Sequence, residues 1–152
     1  MKTVHSPLHA GHAGQTELTA GRILAGFECP ERAEIVRARV VEVGLGPILE
    51  PTAQTLDVAR RIHRPDYVDF LRDAWDLWTA AGYDGPALPF VWPTRGLRDD
   101  LRPEKITALL GWYSFDAGSA FVAGTWGAIE ASYACALTAA DLVAAGEPAA
   151  YS

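Results

Sequence analysis

The chain has 152 residues, of which 49% are hydrophobic and 21% charged, and its formal net charge at pH 7 is −6. This length and composition predict one globular domain with a sizeable core, and they exclude an intrinsically disordered chain. The acidic balance argues against nucleic acid as a partner, because no basic patch is available to displace counterions from phosphates. No stretch of about 18 uninterrupted apolar residues is present, so we expect no association with a membrane.

The cysteine pattern and the amino-terminal sequence indicate the cellular compartment. Cys29 and Cys135 are the two cysteines, and neither lies in a CxxC pair, so the sequence predicts no disulfide framework. No apolar run follows a basic start, so we expect no signal peptide. The reducing cytoplasm is therefore the expected location.

The amino-terminal segment raises the question of a metal site. MKTVH predicts a short edge strand and SPLHAGHAGQ the loop after it, with His5, His9 and His12 inside this stretch. A four-residue spacing places two imidazoles on one face of a zinc-binding helix. Pro7 and two glycines disfavour a helix here, however, and in a loop the four-residue spacing no longer makes neighbours. We therefore expect solvated histidines and no metal ligand among them.

Two amphipathic helices and a short strand are predicted in the first half of the chain. Residues 29–46 predict a helix that starts near Pro30 and ends at Gly44, with the apolar stripe Ala33, Val36, Val40 and Val43. A short buried strand follows near Ile48, and residues 55–63 predict one or two helical turns. Residues 64–82 predict a second strong helix, with Tyr67, Leu71, Trp75 and Trp78 on its core face.

A third helix and a last strand complete the pattern. Residues 125–146 predict a helix with Thr125 as its N-cap and an inward face formed by Ile129, Tyr133, Ala136, Ala140 and Val143. A strand near Ala150 follows. Strands near Thr3, Ile48 and Ala150 thus alternate with helices, which predicts an α/β fold with a largely parallel sheet flanked by helices. A complete domain seldom ends in a buried strand, so we expect this chain to be one part of a larger domain.

Residues 83–124 lie between two helices and show little periodicity. The segment carries Pro86, Pro89, Pro93 and Pro103, and seven aromatic residues. A connection this long is usually functional or disordered, and the aromatics argue against disorder. We interpret it as an interface with a second copy of the chain; the alternative is a loop folded onto its own domain.

The chain resembles the bacterial acetylpolyamine amidohydrolases, which are histone deacetylase-like members of the arginase–deacetylase superfamily. The matching words are TEL at 16–18, FE-P-RAE at 27–34, H--DYV-FL at 63–71, AWD-W-AAG at 74–82, GWYS at 111–114, GTW-A at 124–128 and ADLVAAGEPAAYS at 140–152. The resemblance implies that residues 1–152 are the N-terminal part of a single α/β domain of the arginase–deacetylase fold. That fold is incomplete in this chain, and residues 83–124 are a loop insertion.

The resemblance also implies the activity: a zinc-dependent amidohydrolase that removes acetyl groups from acetylated polyamines or similar acetylated amines. In that family the last strand leads into an Arg-Pro-Pro-Gly-His-His segment whose histidines act as acid and base. An Asp-x-His pair and a second Asp hold the zinc, and a Tyr polarises the acetyl carbonyl. None of these lies in this sequence, so we expect neither catalytic residues nor bound zinc in this chain alone.

A few positions of this chain match residues that line the family's substrate gorge. Glu17 matches the glutamate at the rim of the tunnel, where a carboxylate attracts ammonium groups. Thr19 stands where the family usually has Tyr, and Phe27 matches an aromatic of the tunnel wall. Glu17 and Phe27 each have a simpler alternative: an ordinary loop glutamate for Glu17, and core packing for Phe27.

The loop insertion of the family builds a homodimer and narrows the partner's active site. The residues expected in that role here are Trp92, Trp112, Tyr113 and Asp116. Thr107 and Gly118 occupy positions where some relatives carry acidic gorge residues, and Asp116 is shifted, which argues against a strict preference for polyamines. The alternative to an enzyme is a non-catalytic interaction module that dimerises through this loop.

Overall fold

The computed structural model describes residues 1–13, 16–94, 96, 98 and 100–152. Its contacts divide the chain into two units. Unit 1 consists of Met1–Ala13, Glu28–Leu56 and Gly124–Ser152, and unit 2 consists of Gly14–Phe27 and Asp57–Ala123. The assignment of residues 1–152 to a single deacetylase-type domain stays a prediction. Arg95, Leu97 and Asp99, which belong to the predicted loop insertion, lie outside the described residues.

Unit 1 contains a three-stranded parallel sheet in the order β4–β1–β5. Its strands are β1 (Lys2–Val4), β4 (Ile48–Leu49) and β5 (Ala150–Tyr151). Thr3 of β1 is in register with Ile48 on one side and with Tyr151 on the other. The three predicted strands and their parallel arrangement are therefore confirmed, but β1 is the central strand, so the prediction of an edge strand was wrong.

The segment that follows β1 is a 3₁₀ helix, Pro7–His12, and the prediction of a loop was wrong. The Ser6 side chain caps it by accepting a hydrogen bond from the backbone N–H of Leu8 at 3.3 Å. Pro7 suits the first turn, because the N–H that it lacks would have no intrahelical partner there. A six-residue 3₁₀ helix requires a short run of local turns, so Gly11, which disfavours a longer α-helix, is tolerated.

Helix α1 (Pro30–Glu42) forms where the sequence predicts it, but its apolar stripe is mostly uncovered. Val40 is buried at 6% exposure, whereas Val36 is 43% and Ile35 68% exposed. Val43 follows the helix and is 49% exposed, so the predicted inward face of Ala33, Val36, Val40 and Val43 is only partly right. These side chains, Val43 apart, border an open groove of about 470 Å³ that β1 and β5 also line.

Helix α5 (Thr125–Ala144) is also placed correctly, but its cap and its inward face were predicted wrongly. Gly124 is the N-cap, and Thr125 lies buried inside the first turn. The buried positions are Ala128, Ala131, Cys135, Thr138 and Ala139, rather than Ile129, Tyr133, Ala136, Ala140 and Val143. Alanine occurs on every face of this helix, so its apolar pattern could not fix the phase. Cys135 and Ala139 join Val4 of β1 in the buried core of unit 1.

Unit 2 begins with an antiparallel hairpin, which the sequence analysis missed. Its strands are β2 (Thr16–Thr19) and β3 (Arg22–Ala25). The turn residues Ala20 and Gly21 both have positive φ, 50° and 78°, as a two-residue type I′ turn requires. Such turns favour Asn or Asp followed by Gly, and an alanine at the first position concealed this one.

The remaining helices of unit 2 are α2 (Asp57–Ile62), α3 (Pro65–Ala80) and α4 (Ile106–Tyr113). Helix α4 lies within residues 83–124, so the interpretation of that whole segment as a loop was wrong. Ala87 and Phe121 also form an antiparallel bridge inside the segment. The buried core of unit 2 contains residues of α3 and of the segment 83–124: Phe70, Ala74, Trp78, Ala87, Ile106, Leu109, Leu110 and Phe121.

The core face of α3 agrees in part with its prediction. Trp78 is buried, and Tyr67, Leu71 and Trp75 pack at the edge of the core. The deepest positions, Phe70 and Ala74, were not predicted. Among the described residues, no helix has the combination of length and apolarity that crossing a bilayer demands.

Candidate functional site

The hairpin of unit 2 fixes the position of Glu17. This residue lies in β2, opposite Leu24 of β3, and not in a loop directly after the first strand. Its side-chain Oε1 accepts a hydrogen bond from the backbone N–H of Phe27 at 3.1 Å. The structure therefore brings two of the three predicted substrate-binding residues together, with one oxygen of the carboxylate held by the backbone.

The side chains around Glu17 are unusually exposed for apolar groups. In this chain Phe27 is 70% exposed, Ile23 is 76% exposed and Leu18 is 63% exposed. Thr19 is also exposed and closes β2 opposite Arg22. A held carboxylate beside an exposed aromatic ring can bind an organic cation through charge attraction and through the ring face.

Trp112 and Tyr113 line a cavity of about 440 Å³ in unit 2, together with Arg64, Tyr67 and Pro93. Tyr113 also contacts the core, because its ring stacks on Phe70 with centroids 4.5 Å apart. The predicted loop residues Trp112 and Tyr113 therefore belong to helix α4, and Tyr113 packs within its own unit.

A polar chain that the sequence analysis did not predict runs through Tyr113. The Tyr113 hydroxyl donates to Asp66 Oδ2 at 2.7 Å and accepts from Arg102 Nε at 2.7 Å. Arg64 donates to both oxygens of Asp66, at 3.0 and 2.8 Å. The hydrogen bonds from Tyr113 and Arg64 hold the pKa of the Asp66 carboxyl below its ordinary value. Burial, followed by the bond to Asp66, raises the pKa of the Tyr113 hydroxyl.

Trp92 and Asp116, the other two residues expected in the loop insertion, have different environments. Trp92 lines a smaller cavity of about 200 Å³ with Trp112 and Leu101. Its indole Nε1 is buried and finds no acceptor among the described residues. Asp116 is exposed, and its Oδ1 accepts from the backbone N–H of Gly118 at 2.9 Å, so its contact is local.

The histidines of unit 1 do not behave as solvated loop residues. The 3₁₀ helix turns His9 back towards His5, and the two rings meet edge to face with centroids 5.4 Å apart. Both imidazoles face Glu34 on α1: His9 Nε2 is 3.1 Å and His5 Nε2 is 3.4 Å from Glu34 Oε1. Their side chains are 25% and 20% exposed, so the expectation of solvated, separate histidines was wrong.

Glu34 and His12 complete this region. Arg37 Nε donates to Glu34 Oε2 at 2.7 Å. This bond, followed by the one from His9, holds the pKa of the Glu34 carboxyl below its ordinary value. His12 lies apart from the cluster, where its Nδ1 is 2.8 Å from the Thr125 hydroxyl. Burial lowers the pKa of the His12 imidazole. His5, His9 and Glu34 are thus the residues of this region whose donor atoms converge for a metal ion.

No protein-family model matches the chain. It is similar over its whole length to acetylpolyamine amidohydrolases 2 and 1 of Pseudomonas aeruginosa, at 42% and 39% identity, and to the acetylpolyamine amidohydrolase of Mycoplana ramosa, at 38%. The chain spans 44% of the length of each of these relatives.

The structural comparison agrees with these relatives. An acetylpolyamine aminohydrolase from Burkholderia pseudomallei superposes on 99% of the chain with a TM-score of 0.89 at 27% identity, and 43% of that structure is covered. The α/β fold with a parallel sheet flanked by helices is therefore confirmed as part of the acetylpolyamine aminohydrolase fold. The resemblance that these sequence segments indicate is confirmed as well: over its whole length this chain is similar to the acetylpolyamine amidohydrolases, of whose length it spans 44%.

Proposed function

We propose that this chain is the N-terminal portion of a zinc-dependent amidohydrolase that removes acetyl groups from acetylated polyamines or similar acetylated amines. The observation that carries the proposal is its 38–42% identity, over the whole chain, to three relatives named acetylpolyamine amidohydrolases. Because the chain spans 44% of their length, the activity is proposed for a longer protein.

Catalytic zinc is part of the proposal, but residues of this chain do not hold it. The resemblance implies an Asp, His and Asp ligand set beyond Ser152, whereas the described residues bring together two histidines and a glutamate. That donor set does not fit the catalytic one, so no step of hydrolysis is assigned to it. Zinc in such enzymes activates water and stabilises the developing oxyanion.

The exposed apolar face of α1 supports a role as part of a larger domain. Helices that flank a parallel sheet normally bury one stripe. On α1, Ile35 and Val41 are 68% and 61% exposed. We propose that other parts of the longer protein cover these side chains.

The role proposed for this chain is recognition of the amine. Glu17 supplies a fixed negative charge, because its carboxylate is held by the Phe27 backbone N–H. The exposed ring of Phe27 offers an adjacent face for an ammonium group or its methylene chain. A partly solvated carboxylate of this kind contributes on the order of 1 kcal/mol to binding a cation.

The activity itself is tested on the longer protein. We expect it to release acetate from a monoacetylated diamine, to lose this activity on treatment with a chelator, and to regain it with Zn²⁺. Activity that a chelator leaves unchanged would remove the zinc dependence, and an absence of acetate release would favour the non-catalytic module.

Glu17→Gln tests the recognition role in the same protein. The change removes the charge and keeps the shape, so we expect KM to rise about fivefold for a cationic acetylated amine, which corresponds to roughly 1 kcal/mol. A neutral acetylated amine should show little change. Glu28→Gln is the control, because it removes an equal charge from a side chain that is 83% exposed. Equal changes in KM for the cationic and the neutral substrate would show that Glu17 does not read charge.

We also propose a homodimer formed through the segment 83–124, although part of that segment packs within unit 2. Phe115 is 94% and Phe90 68% exposed, and exposed aromatic groups of this size favour a protein interface. Sedimentation of the longer protein with and without Trp92→Ala tests this. A wild type that sediments as a monomer would remove the interface, and an undiminished dimer of the variant would remove Trp92 as its anchor.

The cytoplasm is the proposed location. Cys29 and Cys135 are both free thiols in the structure. Unpaired cysteines are typical of proteins kept in a reducing compartment.

A further inference from the structure

We infer that His5, His9 and Glu34 form a binding site for a divalent transition-metal ion of the zinc class, separate from the proposed catalytic zinc. The site joins three elements of unit 1: the residue after β1, the 3₁₀ helix and helix α1. It rests on contacts within unit 1 and does not depend on the proposed function.

Two of the three distances between the donor atoms are close to those of a coordination sphere. Zinc bonds of about 2.0–2.2 Å to nitrogen and oxygen give about 3.3–3.5 Å between neighbouring ligand atoms of a tetrahedron. Glu34 Oε1 lies 3.1 Å from His9 Nε2 and 3.4 Å from His5 Nε2. All three donor atoms lie within 4.8 Å of one another, so small rotations of the imidazoles complete the third edge.

Hydrogen bonds alone leave one of these three ligand atoms without a partner among the described residues. His9 Nε2 has hydrogen-bond geometry to Glu34 Oε1. His5 Nε2 approaches the same oxygen but is buried and has no hydrogen-bond partner among the described residues. A buried polar atom normally finds a partner. A cation between the two imidazoles and the carboxylate oxygen would satisfy all three donors at once.

The surroundings also suit a metal ion. Arg37 binds the other oxygen of Glu34, which fixes the carboxylate with Oε1 turned to the histidines, as an outer partner of a metal ligand does. His5 and Glu34 border a cavity of about 410 Å³ that Glu50 also lines. This space admits water or a further carboxylate as the fourth ligand. Two imidazoles and one carboxylate suit Zn²⁺ and Co²⁺ rather than Mg²⁺ or Ca²⁺.

Titration with Co²⁺ tests the inference on the 152-residue chain after treatment with a chelator. We expect one Co²⁺ per chain, with the visible absorption of a tetrahedral site, and displacement of Co²⁺ by added Zn²⁺. His5→Gln, His9→Gln and Glu34→Gln should each weaken the affinity at least roughly tenfold. Zn²⁺ should also raise the melting temperature of the wild type and not that of these variants.

Two matched controls separate this site from general metal binding. His12→Gln removes a histidine from the same 3₁₀ helix, and Glu31→Gln removes a carboxylate one turn earlier on α1; neither should change the affinity. Where Glu34→Gln does not fold, Glu34→Asp carries the same test, since it keeps the charge and withdraws the oxygen. Equal losses in the ligand and control variants, or wild-type binding of Co²⁺ without tetrahedral absorption, would overturn the inference.

Discussion

The two units differ in the size of their buried cores. The core of unit 2 contains large side chains from α3, α4 and the segment 83–124, among them Phe70, Leu110 and Phe121. The core of unit 1 consists of Val4, Cys135 and Ala139, while Ile35 and Val41 on α1 face solvent. Both units nevertheless expose apolar side chains, among them Phe115 of unit 2 at 94%, so they differ in the size of the buried core and not in whether apolar surface is left open.

The largest effect is expected in the closed core of unit 2. Phe70 is 2% exposed, stacks on Tyr113 and meets Phe121 edge to face. Phe70→Ala should lower the free energy of unfolding by about 3–5 kcal/mol, through lost burial and the cavity that remains. The measurement is urea unfolding followed by tryptophan fluorescence.

Phe115→Ala is the matched control for this prediction. It removes the same ring from the same unit at a position that is 94% exposed. We expect a change within about 0.5 kcal/mol. Equal losses for the two substitutions would show that Phe70 is less buried than in the structure, or that Phe115 is covered in solution.

A smaller effect is expected in unit 1. Val4 is 1% exposed and contacts Cys135 and Ala139. Val4→Ala removes two methyl-sized groups, which should cost about 1.5–2.5 kcal/mol. Hydrogen exchange of the backbone amides of β1 and α5 would place the loss in unit 1.

Val41→Ala makes the comparison sharper. Val41 is 61% exposed in this chain, and alanine favours a helix slightly over valine, so the 152-residue chain should lose no stability. In the longer protein the same change should become destabilising, because other residues are proposed to cover α1. A loss of stability in the short chain would mean that the α1 face is already buried in solution.

The sequence predicted those parts of the fold whose patterns are local. The strands near Thr3, Ile48 and Ala150 alternate with strongly amphipathic or clearly bounded helices, so the parallel α/β arrangement followed from order alone. Helix α4 was missed because it has only eight residues and almost all of them are apolar, so its sequence gives no contrast between a buried and an exposed face. The inward face of α5 was missed because alanine gives no contrast between faces.

The candidate site, like the fold, was predicted only in part. Glu17 and Phe27 were found through a resemblance, and the hydrogen bond that joins them depends on a hairpin that Ala20 concealed. The cluster of His5, His9 and Glu34 was missed for another reason. A 3₁₀ turn makes neighbours at spacings that a loop does not, and the third donor comes from a helix that is distant in sequence.

The last and smallest effect concerns His12, again in unit 1. Burial lowers the pKa of the His12 imidazole from 6.5 in the folded state. As pH falls through 6.5, the unfolded chain takes up a proton at His12 that the folded chain does not, so the free energy of unfolding decreases. The loss begins near pH 6.5 and ends below the folded-state pKa of this imidazole. Because His12 is partly solvated, we expect this loss to be smaller than that caused by Val4→Ala. His12→Gln removes the titrating group and keeps an amide for the Thr125 hydroxyl. Urea unfolding of the two proteins between pH 7.5 and 5, at intervals of about half a unit, measures the effect, because the other titrating groups cancel in the difference. A flatter profile for His12→Gln is the expected result; parallel profiles would show that His12 is as accessible to protons in the folded chain as in the unfolded one.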